Sequence, residues 1–201
     1  MTTAPSVVQF VCFETPLPST AFIPSWVPFA DMFLAQGLEH IVLSERISQR
    51  GTGPTYQFIS RNEWPRQSFL NTLQSGRIGD GGGGPVRASQ GGTFTAAQPV
   101  PTQAQPGREK VMALLRIPTN TLSKVVDAVT AALSNLPDVH LFTYQDAVVT
   151  GQRFDTILEA YGSTDQGEVL TGRMDRVLER LIQPTGSSVE VYREVLTLPK
   201  T

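Results

Sequence analysis

Leu38-Glu39-His40-Ile41-Val42 is answered a hundred positions later by Asp138-Val139-His140-Leu141-Phe142. These two stretches contain the only histidines of the 201-residue chain. The histidines set that register, so the independent support for a repeat comes from what surrounds each stretch. Before the first stretch, Val7 to Phe13 (VVQFVCF) is β-branched and aromatic, as a buried strand is. Trp26, Phe29, Met32 and Phe33 then recur at helical spacing up to Gly37. Leu38 to Ile47 predicts a second strand, and Gln49 to Pro54 has turn chemistry. Tyr56 to Trp64 predicts a third strand, and Pro65 suits the first turn of a helix carrying Phe69, Leu70 and Leu73. A fourth strand is expected somewhere within Pro85 to Ala97.

The same order restarts after Pro99 to Arg108, where Pro99, Pro101 and Pro106 oppose regular structure. Val111 to Ile117 predicts a strand. Leu122, Val125, Val126, Val129, Leu133 and Leu136 give the clearest helical stripe in the chain. Strands follow from Val139 and over Phe154 to Tyr161, then a helix over Val169 to Ile182. Ser188 to Leu198 (SVEVYREVLTL) closes with clean alternation. The expected fold is therefore α+β, with a first ferredoxin-like βαββαβ repeat over 1–98, a proline-rich linker over 99–109 and a second repeat over 110–201. A βαββαβ unit covers only one face of its antiparallel sheet with helices. The uncovered face is too apolar for water, so the two sheets are expected to pack face to face and enclose a space.

The order of elements, VVQFVCF with LEHIVLSERI, and junctions such as FISRNEWPRQSFLNTL and TILEAYGSTDQGEVL resemble the dimeric α+β barrel superfamily. That group includes antibiotic-biosynthesis monooxygenase, stress-responsive A/B barrel, EthD and chlorite dismutase types. Most members build the barrel from two chains. The resemblance implies that this chain builds it alone, as a monomeric pseudo-dimer that is free to form a homodimer.

Composition narrows the functions. Net charge is -2 without a block of like charge, which argues against a nucleic-acid partner. No apolar run reaches the roughly 18–20 residues of a membrane span. One cysteine, Cys12, precludes an intramolecular disulfide, and the N-terminus lacks a basic signal region, so a cytoplasmic protein is expected. Cys12 lies in an apolar run and reads as a small buried hydrophobe. Gly79 to Gly84 (GDGGGG) lacks the Lys-Ser/Thr ending of a phosphate-binding loop and reads as a loop, a candidate lid. There is no zinc-type Cys/His cluster, and no metal or obligate cofactor is expected.

Alternation places the candidate chemistry. His40 shares a face with Val42 and Ser44, and His140 with Phe142 and Tyr144, while Ile41, Leu43, Val139 and Leu141 suit the helices. Each histidine is either a general acid or base or a hydrogen-bonded wall residue. On the third strand Tyr56, Phe58, Ser60, Asn62 and Trp64 share a face, so Asn62 is a candidate to orient a carbonyl or dioxygen and Phe58 and Trp64 to line a pocket. The opposing reading makes the two aromatics plain core. Glu159 is either a base in an apolar pocket or the partner of an arginine. Tyr192, with Glu190, is expected to face the cavity. Arg116 is either an anion-binding group or a rim ion pair.

Four functions stay open. The first is a cofactor-independent isomerase, cyclase or lyase acting by acid-base chemistry on an aromatic or polyketide-like carbonyl compound. The second is a cofactor-free monooxygenase of the antibiotic-biosynthesis type. The third, which the resemblance to chlorite dismutases implies, is a haem protein with a histidine ligand. The fourth is a non-catalytic binding protein of the A/B barrel type.

Overall fold

The computed structural model describes residues 6–50, 56–75, 86–95, 109–117, 119–145, 147–148, 153–162, 166–181 and 187–199. The first half runs through β1 (Ser6–Glu14), α1 (Ser19–Leu34), β2 (His40–Arg50), β3 (Phe58–Pro65), α2 (Arg66–Gln74) and β4 (Arg87–Thr95). The second runs through β5 (Glu109–Leu115), α3 (Thr119–Leu133), β6 (His140–Tyr144), β7 (Thr156–Tyr161), α4 (Gly167–Leu181) and β8 (Ser188–Leu198). The Gly79–Gly84 loop and nearly all of the proline-rich linker lie outside the described residues. Among the described residues, no helix is long and apolar enough to cross a membrane.

All eight strands belong to one antiparallel sheet, in the order β4-β1-β3-β2-β8-β5-β7-β6. The second four strands follow the order of the first four. The expectation of two separate sheets needs correction here. The halves are joined edge to edge through β2 and β8, from Ile41 opposite Leu198 to Arg50 opposite Val189. Two irregularities of register, at Leu43/Ser44 and Arg46/Ser48, bend this seam. The sheet then curls until its outer strands approach. Phe94 bridges to Ala147, the Val148 N–H donates to the Thr93 carbonyl at 2.8 Å, and the Phe154 N–H donates to the Gly91 carbonyl at 2.8 Å.

The closed sheet has two buried faces, which explains why VVQFVCF is apolar at consecutive positions rather than at alternate ones. Val8, Phe10 and Cys12 of β1 point inward, beside Ile59, Phe94, Met112, Leu114, Tyr144, Ile157 and Tyr192. Outside the second half, Val125, Val129 and Leu133 of α3 and Leu170, Met174 and Leu178 of α4 cover Val111, Ala113, Leu115, Leu158 and Val189. Outside the first half, Phe22 and Trp26 of α1 and Phe69 of α2 cover Val7, Ile41, Leu43, Phe58 and Trp64.

Proline misleads at α1. Pro18, Pro24 and the residues between read as an irregular entry, yet the helix begins at Ser19 and contains both Pro24 and Pro28. Each proline removes one bond to the carbonyl four residues back, here Thr20 and Pro24. Thr20, Pro24 and Pro28 are all exposed, so water can satisfy the freed carbonyls. Pro18 occupies the N-cap, where its missing N–H costs nothing.

Gly91 shows how tightly the inner face is filled. It lies at the β4 irregularity opposite Phe10 and Val11. A Cβ there would come within 2.8 Å of Cys12 Sγ and 3.3 Å of the Phe10 carbonyl oxygen. Gly91→Ala is therefore expected to cost about 1–3 kcal/mol of unfolding free energy. Urea denaturation of Gly91→Ala, Cys12→Ala and the double variant checks this. The alanine at position 12 is expected to recover part of the loss, and strict additivity would contradict the packing argument.

Candidate functional site at the histidine rim of the barrel

Strand register decides what faces inward. His40 is paired directly with Glu63, Val42 with Arg61 and Ser44 with Ile59 across β2 and β3. His140 is paired with Tyr161, Phe142 with Glu159 and Tyr144 with Ile157 across β6 and β7. Directly opposed residues share a face. Both histidine faces are thus the inner face, as the alternation predicts. Depth is another matter. Each histidine is the first residue of its strand, at the same rim; His40 is half-buried and His140 is exposed.

Beneath that rim lies a network the sequence reading did not assemble. Glu159, wholly buried, accepts hydrogen bonds from Arg61 Nη1 at 2.9 Å, Lys110 Nζ at 2.9 Å and the Tyr144 hydroxyl at 2.8 Å. Tyr161 accepts from Arg61 Nη1 at 2.6 Å and donates to Glu194 Oε1 at 3.2 Å. Lys110 Nζ also lies 3.7 Å from Glu194 and 5.6 Å from the centre of the Tyr161 ring. Arg61 comes from the first half of the chain, and Lys110, Glu159, Tyr161 and Glu194 come from the second.

The carboxyls respond in opposite ways. Burial alone would raise Glu159, but Lys110 and Arg61, with the hydrogen bonds from Lys110 and Tyr144, outweigh it and bring it down to about 2. Glu159 is therefore a permanent anion and not a base; of the two readings, the partner of an arginine is the one observed. Glu63 goes the other way. Burial raises it; Arg61 opposes this, Glu159 and Glu39 reinforce it, and it stands at about 7. Its Oε1 lies 3.4 Å from Arg61 Nε without hydrogen-bond geometry. Burial first, then Glu159, also pushes Tyr144 and Tyr161 well above the ordinary phenol value, so both stay neutral donors.

The remaining candidates divide by face. Tyr192 is buried on the inner wall and donates to Glu190, which also accepts from Ser188 at 2.8 Å. Burial raises the Glu190 carboxyl, with the Tyr192 and Ser188 hydrogen bonds opposing it. Ser44 is buried on the inner wall. Phe142 is half-buried, edge-on to the Tyr161 ring at 5.8 Å. Phe58, Asn62 and Trp64 require correction, because they occupy the outer face. Phe58 stacks on Phe22 at 4.3 Å, and Trp64 lies between Phe33 and Phe69. Gln9 Oε1 accepts from Trp64 Nε1 at 3.3 Å and from Asn62 Nδ2 at 3.4 Å. The aromatic face of β3 was the helix-packed face, and the charged face with Arg61 and Glu63 was the lining. Arg116 follows the end of β5, is exposed, and lies at the opposite rim from the histidines.

No protein-family profile and no curated protein matches the sequence. Solved structures do match in shape. An anthrone oxidase-like protein superposes with a TM-score of 0.53 at 12% identity, over 96% of this chain and 92% of that one. Chlorite dismutase from Candidatus Nitrospira defluvii in complex with imidazole superposes with a TM-score of 0.52 at 10% identity, over 96% and 92%. The chain has the dimeric α+β barrel fold. At such identities the likeness is one of architecture alone.

A haem can be tested against the residues present. Both histidines of the chain stand at strand starts on the rim, and neither the inner wall below them nor the helix-sheet layers contain an imidazole. The inner wall is occupied by Tyr144, Tyr161, Arg61 and Lys110 around Glu159. These residues do not fit a haem enclosed in the barrel and ligated by histidine.

The two shifted carboxyls fix the pH dependence of stability. Glu63 holds a proton in the folded chain that the unfolded chain has lost, between the ordinary 4.5 and about 7. Unfolding in that window releases a proton, so stability falls as pH rises through it, by on the order of 3 kcal/mol. Glu159 is the reverse. Its contribution is complete above the ordinary 4.5 and is lost as pH falls towards about 2. Urea denaturation across pH is expected to show Glu63→Gln lacking the decline above 4.5 while keeping the acid-side loss. An unchanged neutral-side slope in that variant would contradict the assignment.

Proposed function

We propose that the protein is a small-molecule enzyme that works by acid-base chemistry without an obligate cofactor, with Glu63 at the histidine rim as its proton-transfer group. One observation carries this reading. Glu63 is the inward-facing carboxyl held near neutrality, beside Arg61 and opposite His40 at the barrel mouth. A base poised near the working pH is what proton abstraction next to a carbonyl requires. Ionised Glu63 takes the proton from the carbon, the C–H electron pair forms the enolate, and the protonated carboxyl returns the proton to another carbon of the substrate. The result is an isomerisation; where the enolate instead expels a leaving group or attacks a second carbonyl, it is an elimination or a cyclisation. His40 is placed to hydrogen-bond the enolate oxygen. Phe142 and the Tyr161 ring favour an aromatic carbonyl compound at this rim.

The repeated strand order supports a further part of the reading: the chain is a tandem of two ferredoxin-like βαββαβ units, one fused pseudo-dimer. Fusion lets the halves differ, so that Arg61 and Glu63 stand in one and Lys110 and Glu159 in the other. A second reading, a cofactor-free monooxygenase, shares the first step, since the same carbanion could meet dioxygen. The likeness to an anthrone oxidase-like protein favours it, whereas its sequence basis, Asn62 and Trp64, faces the helices.

The test is hydrogen-deuterium exchange at the α-carbon of a panel of aryl ketones in heavy water, followed by proton NMR. Wild-type exchange is expected to rise with pH up to about 7 and then level, as the carboxyl ionises. Glu63→Gln is expected to slow it about 10²–10⁴-fold. Exchange at the wild-type rate in that variant sinks the proposal, and oxygen consumption alongside exchange selects the monooxygenase.

A further inference from the structure

Helix α1 is apolar on the side that faces the sheet and on the side that does not. Phe22, Trp26 and Ala30 are buried in one layer with Ile41, Leu43 and Phe58. Of the eight exposed residues of α1, Asp31 alone is charged, whereas α4 exposes Glu168, Arg176, Glu179 and Arg180. Phe29 is 60% exposed and Met32 43%, and they stand about one turn apart. Ser25, also exposed, lies on the same side, about one turn before Phe29. Thr20, Pro24 and Asp31 lie on the other side. Thr20 precedes Phe29 by about two and a half turns and so points the opposite way. The two carbonyls freed by the prolines, those of Thr20 and Pro24, therefore keep their water when the Phe29 side is covered. A helix that is apolar all round is ordinarily covered all round. Among the described residues, nothing buries Phe29 and Met32.

From this face we infer that the protein associates with a second copy of itself, α1 against α1, around Phe29 and Met32. The charge of the face selects that occupant. The chain carries no lysine or arginine before Arg46. A helix that lies on an anionic membrane has Lys and Arg beside its apolar side, and α1 has neither. A charged protein surface would give up the hydration of its ions and gain no counter-ion at Phe29 and Met32. The matching surface is equally apolar and uncharged. Among the described helices α1 alone offers it, since α2 exposes Arg66 and Gln67, and α3 exposes Lys124 and Asp127. A two-fold axis sets the same patch on both copies, so Phe29 and Met32 meet their own counterparts. The two Asp31 carboxylates, on the far side of each helix, stay apart and in water.

The size of the face sets the strength. α1 is about 24 Å long, and one side of it offers less than the roughly 800 Å² that each partner of a stable complex buries. The association is therefore reversible, with the dimer half-formed at about 10–100 µM. It is independent of the proton transfer proposed above, because α1 covers the outside of the sheet and Glu63 faces the inside.

The experiment is sedimentation velocity of the full chain from about 1 to about 300 µM. The weight-average mass is expected to rise from one chain towards two, and high salt is expected not to reverse the rise, since no ion pair holds the contact. Phe29→Glu and Met32→Glu, each checked for the circular dichroism and melting temperature of the wild type, are expected to raise the dissociation constant at least about tenfold. Two controls are expected to leave it unchanged. Thr20→Glu lies on the opposite side of α1, in a first turn that suits a carboxylate. Val169→Glu lies on α4, where the valine is 45% exposed, much as Met32 is. The inference is overturned if both folded variants at Phe29 and Met32 dimerise as the wild type does, or if either control abolishes the dimer. A monomer throughout also overturns it, whether or not that monomer sediments with phosphatidylserine vesicles.

Discussion

A fully buried carboxylate, Glu159, sits between Arg61 and Lys110, and the barrel is organised around that contact. A lone carboxylate would take up a proton there, and the Arg61 guanidinium, which keeps its charge, would be buried at a large cost without a counter-ion. Together, and with Tyr144 and Tyr161 filling the remaining hydrogen-bond positions, they form a network whose members come from β3, β5, β6 and β7. Its most distant partners, Arg61 and Tyr161, are 100 positions apart in sequence. The network therefore ties the two halves together inside the barrel, alongside the β2–β8 seam and the shared inner apolar cluster.

The same contact bears on the charge of the rim. With both cations committed to Glu159, Glu63 receives only part of the field of Arg61 and feels the anion beyond it. Burial raises both carboxyls on this wall; the two cations overcome it at Glu159, which is fixed as an anion, and Arg61 offsets it only in part at Glu63, which stands at about 7. Such separation of acid and base roles by environment is a usual mark of proton-transfer sites. The structural likeness to an anthrone oxidase-like protein and a chlorite dismutase says that the architecture accommodates quite different chemistries, so the argument for function has to rest on these side chains.

Much of the fold was legible in the sequence, and for identifiable reasons. The stripe from Leu122 to Leu136 and the alternation from Ser188 to Leu198 are periodic signals, and they yielded α3 and β8, the latter with Glu190 and Tyr192 on the correct face. The histidine faces were legible because Ile41 and Leu43 mark the helix side unambiguously. β3 misled because both of its faces are buried. With no solvent side to set the phase, the pattern leaves open whether Phe58 and Trp64 line a pocket or are core, and gives no sign that Arg61 and Glu63 face the inside. Strand periodicity tells which residues share a face, but not which face is the inside. Nor could it show that Arg61 and Glu159 meet, since that depends on a closed sheet joined through β2 and β8. How deep a histidine sits along its strand is likewise a matter of where the strand begins, which the pattern places only to within a residue or two.

The central claim is that the Arg61–Glu159 contact couples the two halves. A double-mutant cycle in urea denaturation, with Arg61→Met, Glu159→Met and both together, measures that coupling directly. Arg61→Met leaves buried Glu159 with Lys110 as its one cation, and Glu159→Met leaves buried Arg61 and Lys110 without their shared anion, so each is predicted to lose about 3–5 kcal/mol. The double variant removes both charges of the contact, leaves Lys110 to Glu194 at 3.7 Å, and is predicted to lose less than the sum of the two single losses. Losses that simply add in the double variant would contradict the account.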